Sequence, residues 1–307
     1  MHLLITGATG LLGLNLSLLA VDQGHRVTGL SRTRDLSGQP FSLVKIDLVE
    51  TEAVLQKIGD ISPDAIIHCA ALANLNAAEE APELAQTINA VVPGELAGYA
   101  ARNGIPFLHI STDAVFDGRE GGYEEMDKPN PLSVYAQTKL AGEIAVQQAN
   151  PDACIARVVF YGWSLSGRRS LSEFFFNELR NGNVISGFTD TFFCPLYVED
   201  LAWILLEMLD EGLSGHYHVV SPESISKYEF GLRLARIFGF DENLIQPVQM
   251  QTLRREAPRS LNLTLSPAKL EADLSYPLPD IDSGIERMYR RWQDGYPEFL
   301  QHLAASS

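Results

Sequence analysis

Through the first half of the chain, short uninterrupted apolar runs alternate with longer segments of helical period. The runs His2–Thr6, Arg26–Leu30, Ser42–Ile46, Ala65–Cys69, Phe107–Ser111 and Ala153–Val159 predict strands. Between them, Leu11–Gln23, Thr51–Ile58, Ala81–Asn103 and Val134–Gln148 gather their apolar residues as amphipathic helices do. A strand with one face in water would alternate apolar and polar positions. Continuous apolar strands separated by helices instead imply a parallel sheet covered on both sides. With right-handed crossovers, the expected fold is α/β with a doubly wound parallel sheet.

Past Tyr161 the pattern loosens. Trp163–Ser172 is polar and glycine-bearing and reads as a loop, followed by a helix over Leu171–Asn181. Asp200–Glu211 regains a strong helical period with Asp200 as its expected N-cap, and His216–Val220 reads as one more strand. From Ser221 on, helical pieces alternate with loops marked by Pro247, Pro258, Pro267, Pro277 and Pro279. The expected division is a dinucleotide-binding domain over 1–165, completed by about 190–220. A smaller, discontinuous substrate lobe takes 166–189 and 221–307.

Composition narrows the function classes. With 39 Asp+Glu against 23 Lys+Arg, the formal charge of -16 would repel phosphate backbones, so neither nucleic acid nor an anionic membrane is an expected partner. Cys69, Cys154 and Cys194 each sit in an apolar run, without close pairing or zinc spacing. No basic leader opens the sequence, and no apolar run approaches the ~18 residues of a membrane span. The expected setting is the reducing cytoplasm.

The first candidate site is Thr6-Gly7-Ala8-Thr9-Gly10-Leu11-Leu12-Gly13, which follows a strand and opens a helix. Gly7 suits a tight turn, Gly10 an approach of backbone to a pyrophosphate, and Gly13 close packing of helix on strand. The phosphates would sit at the helix N-terminus, where unpaired N–H groups and the helix dipole favour anions. Spaced glycines also make an ordinary flexible turn; placement in the first strand–helix unit favours the nucleotide. The second strand then ends Gly29-Leu30-Ser31-Arg32-Thr33-Arg34, with no Asp or Glu to take a ribose 2′-hydroxyl. Arg32, with Ser31 and Arg34, would instead hold a 2′-phosphate, which favours NADPH and leaves NADH as the alternative. A solvated basic turn would read the same way. For Asp47-Leu48, closing the third strand, spacing leaves an adenine contact and a bare surface carboxylate both open.

The second candidate site is Tyr135-Ala136-Gln137-Thr138-Lys139, in a helical segment after Pro129-Asn130-Pro131. Spacing of i, i+4 places phenol and ammonium on one face. A free phenol titrates near ~10, and a nearby cation stabilises the phenolate. Lys139 is therefore expected to lower the Tyr135 pKa and to hold a nicotinamide ribose, while Tyr135 protonates a carbonyl as hydride arrives. Two exposed helix residues would give the same spacing. Ser111 and Thr112 close the fifth strand at the carboxyl edge, where a hydroxyl could hold that carbonyl; the same residues also favour a plain turn.

Together these residues resemble the extended short-chain dehydrogenase/reductase superfamily, whose nucleotide-binding fold is of the Rossmann type. The resemblance rests on the Gly7–Gly13 loop, Asp47-Leu48, His68-Cys69-Ala70-Ala71 and Tyr135-x-x-x-Lys139, and it covers essentially the whole chain. In finer detail the chain resembles the dTDP-4-dehydrorhamnose reductase branch. It carries that branch's Pro82-Glu83-Leu84-Ala85 through Asn89-Ala90, its Ser111-Thr112-Asp113-Ala114-Val115-Phe116-Asp117-Gly118 segment, and a looser tail in Pro258-Arg259-Ser260-Leu261 and Lys269-Leu270. The resemblance implies that Thr112, Tyr135 and Lys139 are catalytic, and that Gly7, Thr9, Gly10, Leu11, Leu12, Gly13, Ser31, Arg32, Asp47, Leu48, Ala70 and Ala71 join Tyr135 and Lys139 in cofactor binding. It places Asp113, Trp163 and Arg259 near the sugar of a nucleotide-sugar substrate, whose diphosphate would draw on Arg168-Arg169, Arg254-Arg255 and Arg259; solvated loop charges would read the same way. No metal is implied, and a homodimer is the candidate assembly.

Two departures matter. Ala114 replaces the branch's aromatic, which widens the expected sugar pocket, and Pro258-Arg259 inverts the branch's Arg-Pro. Ala114 also stands where related dehydratases carry the Glu that eliminates water, which favours reduction. The leading expectation is an NADPH-dependent reductase of a 4-keto nucleotide sugar. The alternatives are a nucleotide-sugar epimerase and a non-catalytic, cofactor-bound regulatory subunit.

Overall fold

The structure, a computed structural model, describes residues 1–252 and 260–304. Six strands follow the predicted apolar runs: β1 (His2–Thr6), β2 (Arg26–Ser31), β3 (Ser42–Lys45), β4 (Ala65–His68), β5 (Phe107–Thr112) and β6 (Cys154–Val158). A seventh, Gly215–Val219, pairs parallel with β6. The sheet runs from this strand through β6, β5, β4, β1 and β2 to β3, and every pairing is parallel. The order reverses between β1 and β4, so this is the doubly wound α/β fold, with its crevice at the carboxyl ends of the strands.

Both faces of the sheet are buried, which is why its strands do not alternate. Leu3, Ile5 and Ile67 point into a core shared with α1 (Leu11–Asp22) and the helix Val198–Asp210. Leu4 and Ile66 point the other way, into a core shared with α2 (Thr51–Ile61) and the helices Val92–Asn103 and Val134–Ala149. Each wrong-way polar substitution here would bury an unpaired group rather than expose one.

Three expectations are corrected. The single helix over Ala81–Asn103 is instead Pro82–Gln86, a π turn Thr87–Val91, and Val92–Asn103. Pro93 has no N–H to give the Asn89 carbonyl, so regular α-helical pairing fails one turn earlier. Asp200 is not an N-cap: the helix begins at Val198 behind Tyr197, and Asp200 instead accepts from Arg287 at 2.6 Å. Pro247 lies not in a loop but in Ile245–Val248, a strand paired only with Ile185–Phe188. Such a peripheral pair tolerates a residue without an N–H.

C-terminal to β6 lie three two-stranded ladders and the helices Leu171–Arg180, Lys227–Phe238, Ala268–Leu274, Ile281–Gln293 and Tyr296–Ala304, and the first, second and fourth of these helices meet Trp163 in an aromatic cluster through Phe176, Phe238 and Trp292. Among the described residues, no helix is long and apolar enough to cross a membrane.

Candidate active site

A groove of about 430 Å³ opens at the carboxyl edge of the sheet. Gly7, Thr9, Gly10, Leu11, Leu12 and Gly13 form one side of it. Ser31, Arg32, Asp47 and Leu48, at the ends of β2 and β3, line it on one flank of β1, and Ala70 and Ala71 after β4 line it on the other. All twelve loop and strand-end residues singled out for a cofactor thus share one groove.

Backbone geometry explains the glycines. Gly7 has φ +65, and a Cβ there would lie 2.9 Å from the Ala70 backbone. Gly13 packs so closely that a Cβ would lie 2.3 Å from the Gly7 carbonyl oxygen. Gly10 caps α1 without a side chain, which leaves the first-turn N–H groups directed to the groove. The Ala70 N–H donates to Thr6 Oγ1 at 3.1 Å. The Thr6 hydroxyl is also hydrogen-bonded to His68 Nδ1 at 2.9 Å, so a buried, uncharged His68 holds the groove wall in place. Ser31 donates to the Arg34 carbonyl at 3.0 Å, shaping the turn from which Arg32 and Arg34 project, both exposed. Such a cradle, with close backbone, open N–H groups and two cations, fits a dinucleotide.

Thr112 and Asp113 end β5, and Tyr135 and Lys139 come from the helix Val134–Ala149, which Ser133 caps by accepting from Ala136 N–H at 3.2 Å. Lys139 turns down onto the sheet. It donates to the carbonyl of Ile110, a groove residue, at 2.7 Å and to His109 Nε2 at 3.3 Å. Burial pulls the ammonium down to about 8, while Glu143 and Cys69 hold it up. Burial also pushes the half-buried Tyr135 phenol up to about 12, with Thr112 opposing and the Asp113 charge adding. The expected lowering of Tyr135 by Lys139 is therefore not what sets this phenol. One helix face carries both residues, and the ammonium gives two of its three N–H groups to β5.

Asp113 is buried, and burial raises its carboxyl to about 6 against the pull of the Thr112 hydroxyl (2.9 Å), Lys227 and the Ala114 N–H. The native state then binds a proton more readily than the unfolded chain, so this group costs stability as pH rises from about 4 through 6. Asp113→Asn is accordingly expected to stabilise the fold by about 1–2 kcal/mol at pH 8 and by little at pH 4. Urea titrations at the two pH values check this, and an equal effect at both would contradict it.

Other residues of the site gave little sequence signal. Asn89 accepts from Leu72 N–H at 2.8 Å and donates to Thr138 Oγ1 at 3.0 Å, tying the groove wall after β4 to the helix of Tyr135. Its trace in the sequence is a polar residue four positions before a helical proline. Glu143, buried one turn beyond Lys139, accepts from Ser111 at 2.5 Å and from Arg157 at 2.8 Å. Burial would raise its carboxyl, but His216, Arg157 and Ser111 hold it at about 2. Two sugar-side candidates fare differently. Trp163 is a core residue, not a groove residue: it is buried edge-on to Phe176 and donates to the Met288 carbonyl at 3.0 Å. Arg259, with Arg254, Arg255 and Pro258, lies outside the described residues. Among the described residues, no group of three or more His, Cys, Asp or Glu could hold a metal ion.

Comparison with known proteins gives a consistent assignment. The chain is 34% identical over 298 residues to the probable low-salt glycan biosynthesis reductase Agl14 of Haloferax volcanii, covering 96% of this chain and 99% of that one. It is 33% identical over 277 residues to methionine adenosyltransferase 2 subunit beta of Xenopus tropicalis, covering 87% and 81%. A solved dTDP-4-dehydrorhamnose reductase from Bacillus anthracis, in complex with NADP, superposes with a TM-score of 0.82 at 26% identity and covers 94% of this chain and 98% of its own. The family described as the RmlD substrate binding domain matches residues 1–293, and the chain belongs to that family, the dTDP-4-dehydrorhamnose reductase-like branch of the extended short-chain dehydrogenases/reductases.

Proposed function

We propose that this chain is an NADPH-dependent reductase of a 4-keto nucleotide sugar, with Tyr135 as proton donor. The observation that carries the reading is the junction of Thr112, Tyr135 and Lys139 with the glycine-cradled groove at Ile110. The bound dinucleotide would supply hydride to the carbonyl carbon. In this reading the Gly7–Gly13 loop and the first turn of α1 take the pyrophosphate, and Arg32, with Ser31 and Arg34, takes the 2′-phosphate. Thr112 turns its hydroxyl from Asp113 to the carbonyl oxygen, and Tyr135 delivers its proton to that oxygen. Lys139 holds the nicotinamide ribose and the charge left on the phenol. Asp113, whose carboxylate the Lys227 charge favours, would meet the sugar together with Lys227. The segments 166–189 and 221–307 would form the substrate side. Ala114 leaves no acid beside Asp113 for water elimination, which favours reduction over dehydration.

A second reading, a cofactor-bound subunit without turnover, is favoured by the 33% identity to methionine adenosyltransferase 2 subunit beta. The epimerase reading is disfavoured by Arg32, since a tightly held NAD calls for an acidic residue there. Loss of NADPH absorbance with a panel of 4-keto nucleotide sugars separates these readings. Turnover supports the reductase; tight NADPH binding without turnover of any substrate leaves the subunit.

Cofactor choice gives an independent check. NADPH is expected to bind more tightly than NADH, and Arg32→Asp is expected to erase or invert that order by removing the charge-assisted contact and repelling the phosphate. Calorimetric titration reads both affinities; equal affinities in the parent protein would sink the assignment of Arg32.

A further inference from the structure

Arg169 is the groove's lining residue furthest along the chain. Arg169 belongs to the loop before the helix Leu171–Arg180, yet it lines the same groove as Gly10, Leu11 and Arg32, whereas its neighbour Arg168 does not. Placement of the loop is not left to chance. Glu173, fully buried, accepts from Ser164 N–H at 2.6 Å, Ser164 Oγ at 2.8 Å, Arg169 N–H at 2.7 Å and Ser170 N–H at 3.0 Å. A buried carboxylate with four donors is a rigid anchor, and it fixes the backbone from which the Arg169 side chain leaves.

On its far side the loop leans on the last described helix, since a Cβ on Gly167 would come within 3.3 Å of the Gln301 amide nitrogen. That same helix accepts the Ser37 N–H on the Leu303 carbonyl at 3.0 Å, just beyond the turn that carries Arg32 and Arg34. It also reaches α1, where Tyr296 donates to Asn15 at 2.8 Å. One helix thus supports both the loop of Arg169 and the turn of Arg32 at the mouth of the groove.

The charges complete the picture. Arg233, Arg236, Arg287, Arg290 and Arg291 are each matched to a carboxylate. Arg32, Arg34 and Arg169 form no ion pair among the described residues, and all three line this groove. In a chain of formal charge -16, three unpaired guanidiniums around one opening make an anion site.

We infer that Arg169 binds a phosphate of the dinucleotide, so that the C-terminal part of the chain contributes directly to cofactor affinity. The inference deepens the NADPH reading and rests on it. It also moves Arg169 from the diphosphate of a nucleotide sugar, where sequence placed it, to the cofactor. A guanidinium suits the task because its planar donors meet phosphate oxygens in pairs.

The test is equilibrium binding of NADPH and NADH, without sugar substrate, to the parent protein and to Arg169→Gln, Arg169→Lys and Arg168→Gln, with thermal melts to confirm folding. Arg169→Gln is expected to weaken NADPH roughly tenfold, Arg169→Lys less, and Arg168→Gln less than about twofold. Equal weakening of both dinucleotides places Arg169 on the pyrophosphate, and weakening of NADPH alone places it on the 2′-phosphate; either supports the inference. Unchanged NADPH affinity in a folded Arg169→Gln overturns it, whether or not KM for a nucleotide sugar rises. An equal loss in Arg168→Gln also overturns it, since the effect would then be net charge alone. A parent protein that binds neither dinucleotide defeats the cofactor reading itself, and the inference with it.

Discussion

Tyr135→Phe is expected to lose at least ~10²-fold, and up to ~10⁴-fold, in turnover of a 4-keto nucleotide sugar while holding NADPH with nearly parental affinity. The reasoning begins with the phenol. Burial holds its pKa at about 12, so at neutral pH it carries its proton and can give it away. Thr112 eases that release, and Asp113 resists it. Removing the hydroxyl leaves a half-buried ring that still packs on the same helix face, so the fold and the groove should survive. The interaction lost exists only as the carbonyl oxygen gains charge, so the loss should appear in kcat and in kcat/KM alike. Steady-state rates with one verified substrate, set beside NADPH affinity from fluorescence titration, read the two effects separately. Parental turnover in the folded variant would remove Tyr135 from the mechanism.

Sheet and groove were legible in the sequence for a simple reason. Strands buried on both faces must be apolar throughout, and a backbone that approaches a phosphate must lack a Cβ, so β1–β6 and Gly7–Gly13 leave local patterns. Residues acting across the fold leave none. Asn89 reads as one polar position in a helix, and only the missing N–H of Pro93 hints at the π turn that aims it at Leu72 and Thr138. The family resemblance places Trp163 near the sugar, yet Phe176, Phe238 and the Met288 carbonyl claim it for the core. Those partners lie far off in sequence. Asp200 has the right residue type for a cap, but Arg287 offers it a charge-assisted bond at 2.6 Å instead. Arg168 and Arg169 are indistinguishable as a dipeptide; only the buried Glu173 decides which one lines the groove.

Lys139→Met should fail differently from Tyr135→Phe, losing dinucleotide affinity as well as rate, because the ammonium would serve both the ribose and the phenolate. Its charge is also conditional. Burial brings the ammonium to about 8, against the pull of Glu143 on its own helix and Cys69 after β4, while the flanking His68 and His109 are held neutral by burial. The sign follows directly. Charge is nearly complete at pH 6.5, half lost near 8, and largely lost by 9.5 in the ligand-free protein, so NADPH affinity is expected to fall across that interval. Stability runs the other way. An unfolded lysine keeps its proton to about 10.5, so between 8 and 10.5 this position binds more protons in the unfolded chain, and its contribution to the stability of the ligand-free fold grows with rising pH. Bound NADPH, itself anionic, should push the midpoint of the affinity change above 8. In Lys139→Met the affinity trend should flatten, since Tyr135 and Cys69, each pushed up to about 12, keep their protons in the folded protein across that window, and the parent's stability should rise relative to the variant's as pH rises. Calorimetric NADPH titrations and urea melts at pH 6.5, 8 and 9.5, on parent and variant, check every part of this. A parent affinity that does not change with pH, or a variant that keeps the parent's slope, would mean that Lys139 does not carry the charge the dinucleotide meets.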